Sequence, residues 1–379
     1  MFSTAGCRGT LRFFDDRSRE PERPVADKAR CRQEVGEDRR PGMSGSSAGL
    51  NLMTNIFCDH CPRRCSIPEG RYGYCAVRRN SGGRIALTTY GRTIGCVPDP
   101  MEKKPLYHFH PGSTVLSFGS VGCNMGCSFC QNAHLSKNGD PRLLVLEASP
   151  GKIAELALNR NCRAVAFTYN EPVVWAEYAV DAALACRAAG LRTVVVSSGY
   201  LAEKKRAWFF GAMDAANIDL KGFSDAFYEK EIDARLEPVK ETLRFIARET
   251  DCWLELTTLI IPTLNDDPDT LRKMGDWIVA ALGPEVPLHL SAFRPAHRRT
   301  DLPPTPPETL FHARAIAQDC GLRHVYTGNV ADPAGQSTYC PQCRQCVVLR
   351  DGYRIEEYHI DEESCCRFCG QTVAGRFDE

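Results

Sequence analysis

Three cysteines, Cys123, Cys127 and Cys130, lie close together in the segment Gly119-Ser-Val-Gly-Cys-Asn-Met-Gly-Cys-Ser-Phe-Cys-Gln-Asn132. A structural zinc ion takes four ligands, so three thiolates on one loop leave such a site incomplete. A four-iron cluster accepts three thiolates, and its open iron can then chelate the amine and carboxylate of a small molecule. The Cys-x3-Cys-x2-Cys spacing therefore predicts an open-iron site. The alternatives are a chance cluster and a zinc site that borrows a distant ligand.

A second group of cysteines lies near the C-terminus, as Cys340-Pro-Gln-Cys343 and Cys366-Arg-Phe-Cys369. An Asp-Gly pair between two apolar runs separates these motifs and indicates a β-hairpin. Two Cys-x2-Cys turns joined by a hairpin are typical of a zinc ribbon. An auxiliary iron–sulfur cluster is the rival, because thiolates alone do not distinguish zinc from iron. The neighbouring Cys346 and Cys365 leave the choice of ligands ambiguous.

A third group precedes both, with a Cys-x2-Cys-x3-Cys-x9-Cys spacing made by Cys58, Cys61, Cys65 and Cys75. Four thiolates suit either zinc or an iron–sulfur cluster, and His60 adds a further candidate ligand. The sequence predicts a metal site here without selecting the metal.

The elements that must position these residues alternate between strand-like and helix-like patterns from residue 114 onward. Predicted strands cover residues 114–118, 164–168, 192–196, 216–220, 253–261 and 287–293, with 324–327 as a further strand. Predicted helices cover 150–159, 173–189, 201–212, 239–249, 268–281 and 306–319. This alternation predicts a parallel α/β domain, either a partial barrel or a doubly wound sheet. Residues 84–111 are expected to be irregular.

In a parallel α/β fold, functional residues gather where the strands end. The second predicted strand ends in Thr168-Tyr-Asn-Glu-Pro172, which places Asn170 and Glu171 at this edge. The fourth ends in Asp219-Leu-Lys221, whose two charged side chains alternate onto one face. Together they offer an acceptor for hydroxyl groups and a cation for a carboxylate, although an internal ion pair is an equal alternative.

Composition narrows the class of protein. The chain has 379 residues, of which 20 are cysteine, and its 47 Lys and Arg balance 47 Asp and Glu. That balance lacks the basic footprint of nucleic-acid binding. We see no apolar run of about 18 residues that would span a membrane. We therefore expect a cytoplasmic protein whose clustered cysteines bind metal.

Four regions follow from these patterns. We expect a disordered leader over 1–52, because this stretch is poor in aliphatic residues. An N-terminal cysteine-rich module then covers 53–112, the α/β domain covers 113–330, and the zinc-ribbon-like double Cys-x2-Cys module covers 331–379.

The Cys-x3-Cys-x2-Cys loop, with Phe129 before its third cysteine, resembles that of the radical S-adenosylmethionine (SAM) enzymes. Several motifs in order narrow the resemblance to the AmmeMemoRadiSam-system radical SAM proteins, relatives of pyruvate formate-lyase activating enzyme. They are Cys58-Asp-His-Cys-Pro-Arg-Arg-Cys65, Asp99-Pro-Met-Glu-Lys-Lys-Pro-Leu-Tyr107, Tyr169-Asn-Glu-Pro172, Tyr326-Thr-Gly-Asn329 and the C-terminal double module. This resemblance covers residues 56–379 and implies a partial (β/α)6 barrel of the radical SAM superfamily.

The resemblance also implies cofactors and roles. A [4Fe–4S] cluster held by Cys123, Cys127 and Cys130 would cleave SAM reductively to a 5′-deoxyadenosyl radical, which abstracts hydrogen. The residues expected to position SAM are Asn170, Glu171, Ser198, Asp219 and Lys221. It further implies an electron donor such as flavodoxin or ferredoxin, a protein as one class of substrate, and Memo-like and AMMECR-like pathway partners. The competing hypothesis is a non-catalytic iron or zinc carrier on an inert barrel.

Overall fold

A curved parallel sheet organises the computed structural model, which describes residues 55–137 and 139–377. The leader expected over 1–52 lies outside the described residues. The strands, in chain order, are β1 (Ile56–Phe57), β2 (Ser66–Ile67), β3 (Arg78–Ser81), β4 (Arg84–Leu87), β5 (Arg92–Thr93), β6 (Cys96–Pro100), β7 (Thr114–Phe118), β8 (Leu146–Glu147), β9 (Ala164–Phe167), β10 (Arg192–Ser197), β11 (Ala215–Asp219), β12 (Trp253–Ile260), β13 (Leu288–Ala292), β14 (Val325–Gly328), β15 (Thr338–Tyr339), β16 (Cys346–Asp351) and β17 (Arg354–Tyr358).

Helices lie between the strands of this sheet. They are α1 (Ala133–Ser136), α2 (Pro150–Asn159), α3 (Ala176–Ala188), α4 (Glu203–Phe210), α5 (Asp225–Phe227), α6 (Glu237–Glu249), α7 (Pro268–Leu282), α8 (Pro307–Asp319) and α9 (Pro333–Gln336). Four of the longer ones, α2, α6, α7 and α8, carry a proline in their first turn, where the missing N–H costs no hydrogen bond. Gly190 and Gly321 each follow a helix and have positive φ values, as expected for residues that end a helix. In the described part of the chain, no helix is both long and apolar enough to cross a membrane.

The central sheet has the order β14-β13-β12-β11-β10-β9-β7-β6. Strands β7 and β9 to β14 are all parallel, and β6 pairs antiparallel with β7 at one edge. Side chains on one face, such as Leu116, Val165 and Ile218, join the core that contains residues of the long helices. The opposite face carries Ser117 and Glu255, both fully buried. Since a doubly wound sheet has helices on both faces, this one-sided arrangement is that of an open, partial barrel.

The segment before β7 closes the bottom of this partial barrel. Met101, Leu106 and Phe109 pack against the amino ends of the strands in a second apolar cluster. The backbone N–H groups of Tyr107 and His108 both donate to the Glu255 carboxylate, at 3.0 and 2.8 Å. Because buried polar backbone groups need partners, the inward-facing glutamate fixes this plug against the sheet.

The expectation that residues 84–111 are irregular is wrong. They contain β4, β5 and the edge strand β6, which pairs residue by residue with β7 from Cys96 opposite Phe118 to Pro100 opposite Thr114. Strand β6 contains two prolines, Pro98 and Pro100, which it can accommodate because an edge strand needs only one side of its backbone for pairing. The predicted helix 173–189 also begins later than expected, because Pro172–Trp175 forms a 3-10 turn before α3.

The last described residues form a small module with its own core. Strands β15, β16 and β17 make an antiparallel sheet, and Gly352 has φ of 62° in the hairpin between β16 and β17. Arg350 on β16 is fully buried and donates to the Tyr107 carbonyl oxygen at 2.8 Å. Its guanidinium also faces the fully buried carboxylate of Glu102, with Nε 3.7 Å from Oε1. This buried contact attaches the module to the barrel plug.

Candidate active site and metal centres

A cavity of about 1030 Å³ opens at the carboxyl ends of the barrel strands. Every barrel residue that the sequence singled out as a ligand or a SAM-positioning residue lines it: Cys123, Cys127, Cys130, Asn170, Glu171, Ser198, Asp219 and Lys221. These residues come from the ends of the three successive strands β9, β10 and β11 and from the loop after β7. The cavity is large enough for a nucleoside-sized ligand beside a metal cluster.

The loop after β7 brings its three cysteines to one wall of this cavity. Cys127 is buried, and Cys123 and Cys130 are half-buried. The backbone N–H of Met125 donates to Cys123 Sγ at 3.3 Å, a contact that favours a thiolate. Burial raises the pKa of the Cys127 thiol, while the nearby Lys221 ammonium acts in the opposite direction. The cavity wall therefore offers three sulfur ligands with an N–H group and a cation beside them.

The Asn170 side chain braces this loop. Its Oδ1 accepts from Ser120 N at 2.9 Å and from Trp175 Nε1 at 3.2 Å, and its Nδ2 donates to the Gly122 carbonyl oxygen at 2.9 Å. Both ends of the amide are thus engaged on either side of the turn that leads into Cys123. In this geometry Asn170 acts on the cysteine loop, which the sequence did not anticipate.

The carboxylate of Glu171 joins the ends of two strands. Its Oε1 accepts from Ser197 Oγ at 2.6 Å and from Val173 N at 3.1 Å. Its Oε2 accepts from both the N–H and the hydroxyl of Ser198, at 2.8 and 2.5 Å. Four donors satisfy this buried carboxylate, so Glu171 and Ser198 form a pair that fixes β9 against β10.

Asp219 and Lys221 face the cavity from the end of β11. Lys221 Nζ lies 2.7 Å from Asp219 Oδ2. The side chain of Lys221 is 17% exposed and that of Asp219 is 31% exposed. Burial lowers the pKa of Lys221, but the charges of Asp219 and of the Cys127 thiolate outweigh it and raise that pKa above its ordinary value. The two side chains form an ion pair and also present a cation and an acceptor to any ligand in the cavity.

Lys104 is a cavity residue to which the sequence assigned no role. It is 3% exposed, and its Nζ lies 2.8 Å from Asp99 Oδ2 and 5.3 Å from the centre of the Tyr169 ring. Burial lowers the pKa of Lys104, and the neighbouring Asp99 works against this shift. Lys104 belongs to the motif Asp99 to Tyr107, which is one of the motifs on which the family resemblance rests. Its place in that motif was the signal in the sequence that could have indicated a role for Lys104.

Known proteins are similar to this chain in sequence. The family model described as the radical SAM superfamily matches residues 118–275, which include the cysteine loop and β9 to β12. An uncharacterised protein of Methanocaldococcus jannaschii, MJ0808, is 39% identical over 319 residues, which cover 84% of this chain and 95% of that protein. The chain belongs to the radical SAM superfamily.

Two solved structures show how this radical SAM protein compares in shape. A domain of pyruvate-formate lyase-activating enzyme from Bacteroides vulgatus has a TM-score of 0.39 and 20% identity, and the match covers 44% of this chain and 99% of that domain. A radical SAM methyltransferase from Sphaerobacter thermophilus has a TM-score of 0.46 and 15% identity, with 60% of this chain and 71% of that chain covered.

The C-terminal module of this radical SAM protein contains a compact set of four thiols. The sulfur atoms of Cys340, Cys343, Cys366 and Cys369 all lie within 4.8 Å of one another. Cys346 and Cys365 are outside this set, which resolves the ambiguity that the sequence left. Burial raises the pKa of Cys340, but the N–H groups of Cys343 and Gln342 outweigh it and lower this pKa to about 7. The four sulfurs are close enough together to bind one metal centre.

The N-terminal cysteines of the same protein also converge. Cys58, Cys61, Cys65 and Cys75 line one small cavity, to which Asn124 of the barrel cysteine loop also contributes. No pair among the described cysteines forms a disulfide. The structure therefore places the predicted ligands in three separate groups.

Proposed function

We propose that this protein is a radical SAM enzyme that initiates hydrogen abstraction in the cavity at the carboxyl ends of its barrel strands. Membership of the superfamily implies a [4Fe–4S] cluster and SAM. When bound there, they would supply a 5′-deoxyadenosyl radical by one-electron cleavage of the sulfonium S–C5′ bond. The observation that carries the proposal is that the three-cysteine wall and the Asp219–Lys221 pair face one cavity of sufficient volume.

The residues present fit both groups. Cys123, Cys127 and Cys130 would hold the cluster, leaving the fourth iron free. Lys221 is the cation suited to a ligand carboxylate, and Asp219 is the acceptor suited to ribose hydroxyls. These two side chains would contact SAM directly.

Asn170, Glu171 and Ser198 would act through the scaffold that surrounds SAM. Asn170 holds the turn before Cys123, while Glu171 and Ser198 hold the ends of β9 and β10 together. Such bracing supports a precise site, because a shift of about 1 Å in a reacting group can cost a hundredfold in rate.

We infer that the C-terminal module binds zinc. Four thiolates placed tetrahedrally at the Zn–S distance of about 2.3 Å are separated by about 3.8 Å. The sulfurs of Cys340 and Cys369 are 3.6 Å apart, and those of Cys343 and Cys366 are 3.7 Å apart. An ion at this position would stabilise the module whose hairpin residues Asp351 to Tyr353 line the cavity.

We further propose an activating-enzyme-like role, in which the hydrogen donor is a protein segment. The resemblance to the AmmeMemoRadiSam-system proteins supports this role, together with Memo-like and AMMECR-like partners. A flavodoxin or ferredoxin of the cytoplasm would be the electron donor.

The test is SAM cleavage by the anaerobically reconstituted full chain. With SAM and dithionite, the wild-type protein is expected to form 5′-deoxyadenosine, and Cys127→Ser is expected to form none. Cys320→Ser is the matched control, since this half-buried cysteine lies outside all three cysteine groups. If a wild-type preparation with an intact cluster forms no 5′-deoxyadenosine, the enzyme hypothesis is refuted and the metal-carrier hypothesis is favoured.

A further inference from the structure

The four N-terminal cysteines form a site that the proposed reaction does not use. The backbone N–H of Cys58 donates to the Cys65 carbonyl oxygen at 2.9 Å, which closes the turn that carries Cys61. Cys75 reaches the same small cavity from the segment after β2, and it is buried. Gly73 permits this approach, because a Cβ there would lie 3.6 Å from Cys65 Sγ and 3.0 Å from Ile67 Cδ1.

The distances between thiols differ between this N-terminal site and the C-terminal site. In the part of the chain that the structure describes, only the C-terminal quartet brings three or more cysteine, histidine or carboxylate ligands within 4.8 Å of one another. The N-terminal quartet and the barrel loop are both wider than this. A single zinc ion requires sulfurs about 3.8 Å apart, whereas a cluster inserts iron and sulfide between its thiolates. We propose that Cys58, Cys61, Cys65 and Cys75 hold a second iron–sulfur cluster.

A buried polar atom supports an inorganic group at this place. His60 lines the same cavity and is 4% exposed, yet its Nε2 has no hydrogen-bond partner among the described residues. A buried imidazole nitrogen without a partner is costly. The sulfide or thiolate sulfur of a cluster would accept from this nitrogen as an N–H group.

The N-terminal site shares a wall with the barrel loop. Gly122, which precedes Cys123, packs so closely on Cys75 that a Cβ at Gly122 would lie 2.2 Å from the Cys75 carbonyl oxygen. On the other side of Cys123, the Asn124 carbonyl oxygen accepts from Arg63 Nε at 2.5 Å. With consecutive Cα atoms 3.8 Å apart, the Cα atoms of Cys75 and Cys123 are within roughly 10 Å. The two cysteine sites are therefore close enough for direct electron tunnelling.

This proximity assigns the second cluster the role of electron entry, an inference that rests on the proposed function. A low-potential flavin or iron–sulfur protein would give one electron to the N-terminal cluster and be oxidised by one electron. The same electron would pass to the barrel cluster, which restores the N-terminal cluster to its oxidised state. That single electron balances the cleavage of one S–C5′ bond to methionine and one 5′-deoxyadenosyl radical.

Metal analysis of anaerobically reconstituted full-length variants tests the site. Replacing Cys123, Cys127 and Cys130 with serine leaves the N-terminal quartet intact, and this variant should retain about four iron and four sulfide per chain. It should also give an electron paramagnetic resonance signal with dithionite that SAM does not alter. Replacing all four N-terminal cysteines with serine should lower the iron content by about four per chain relative to the wild type. The Cys320→Ser control should have the wild-type iron content. Zinc in place of iron in the triple variant, or no metal beyond the C-terminal ion, would overturn the proposal.

A second measurement tests electron entry. In the N-terminal quadruple variant, formation of 5′-deoxyadenosine with reduced flavodoxin should fall by roughly tenfold or more, while formation with the small reductant dithionite should persist. Equal rates with both reductants would refute electron entry but not the cluster. If the wild-type protein forms no 5′-deoxyadenosine with dithionite, the proposed function fails, and the iron content of the triple variant still decides the second site.

Discussion

Glu171 provides the sharpest test of how the cavity is held in shape. Its carboxylate accepts four hydrogen bonds, from Ser197 Oγ, Val173 N and both donors of Ser198. A Glu171→Gln change keeps the shape and replaces one carboxylate oxygen by an NH₂ group that cannot accept. The NH₂ group then faces one backbone N–H and one serine hydroxyl. The hydroxyl can rotate to accept, but the backbone N–H is left without an acceptor in a buried site. The substitution should therefore destabilise the protein before any ligand binds.

The size of the effect follows from these contacts. A hydrogen bond to a charged group contributes about 1.5–3 kcal/mol, so the loss of the bond from one backbone N–H, together with the weakening of the others on a neutral amide, amounts to about 3 kcal/mol. Unfolding entropy is about 2.1 cal/mol/K per residue near 60 °C, which gives roughly 0.7 kcal/mol/K for a unit of about 325 residues. Thermal unfolding of the Glu171→Gln variant should thus occur about 4 °C below that of the wild type.

The assay is thermal unfolding followed by far-ultraviolet circular dichroism, on anaerobic samples with equal iron content and no SAM. Glu155→Gln is the matched control, because this side chain is 54% exposed and its ion-pair partner is Lys152. Its change should stay within about 0.5 kcal/mol. If both variants unfold at the same temperature as the wild type and only Glu171→Gln weakens SAM binding, Glu171 is a direct SAM ligand and the bracing role is wrong.

Three further substitutions test other contacts by thermal unfolding and metal analysis. Arg350→Met leaves Glu102 buried without its counter-charge and should cost about 3–5 kcal/mol, whereas an unchanged melting temperature would show that this pair does not fix the C-terminal module. Gly122→Ala should cost roughly 2–5 kcal/mol and lower the iron content, because φ is 83° and the new Cβ meets a backbone oxygen. Gly82→Ala shares the positive φ (63°) but has open space around it, so equal losses of iron in both alanine variants would contradict this explanation. Cys366→Ser should abolish binding of the C-terminal metal and unfold that module, and full metal retention would exclude the assigned ligand set.

Local patterns predicted the elements that carry the site. The strand 114–118 matches β7 residue for residue, and the cysteine loop follows it at the carboxyl end of the sheet. The helix predicted over 150–159 matches α2, because Ser149 caps its N-terminus and Pro150 starts it. These elements are determined by residues that are neighbours in the chain, so the sequence pattern contains the information.

Long-range pairings could not be predicted in the same way. The pairing of Glu171 with Ser198 depends on where β9 and β10 end relative to each other, which a one-residue shift would change. Lys104 lies in a segment without periodicity, and only its burial beside Asp99 makes it a cavity residue. The choice of Cys366 over Cys365 as a metal ligand likewise depends on side-chain direction in the folded module.

The most direct test of the central claim is the electron paramagnetic resonance spectrum of the dithionite-reduced protein before and after addition of SAM. An open iron held by Cys123, Cys127 and Cys130 predicts that SAM changes the spectrum of one cluster, and that this change disappears in Cys127→Ser. A spectrum that SAM leaves unaltered, in a wild-type sample with its iron present, would contradict the claim that this cavity binds SAM at a cluster.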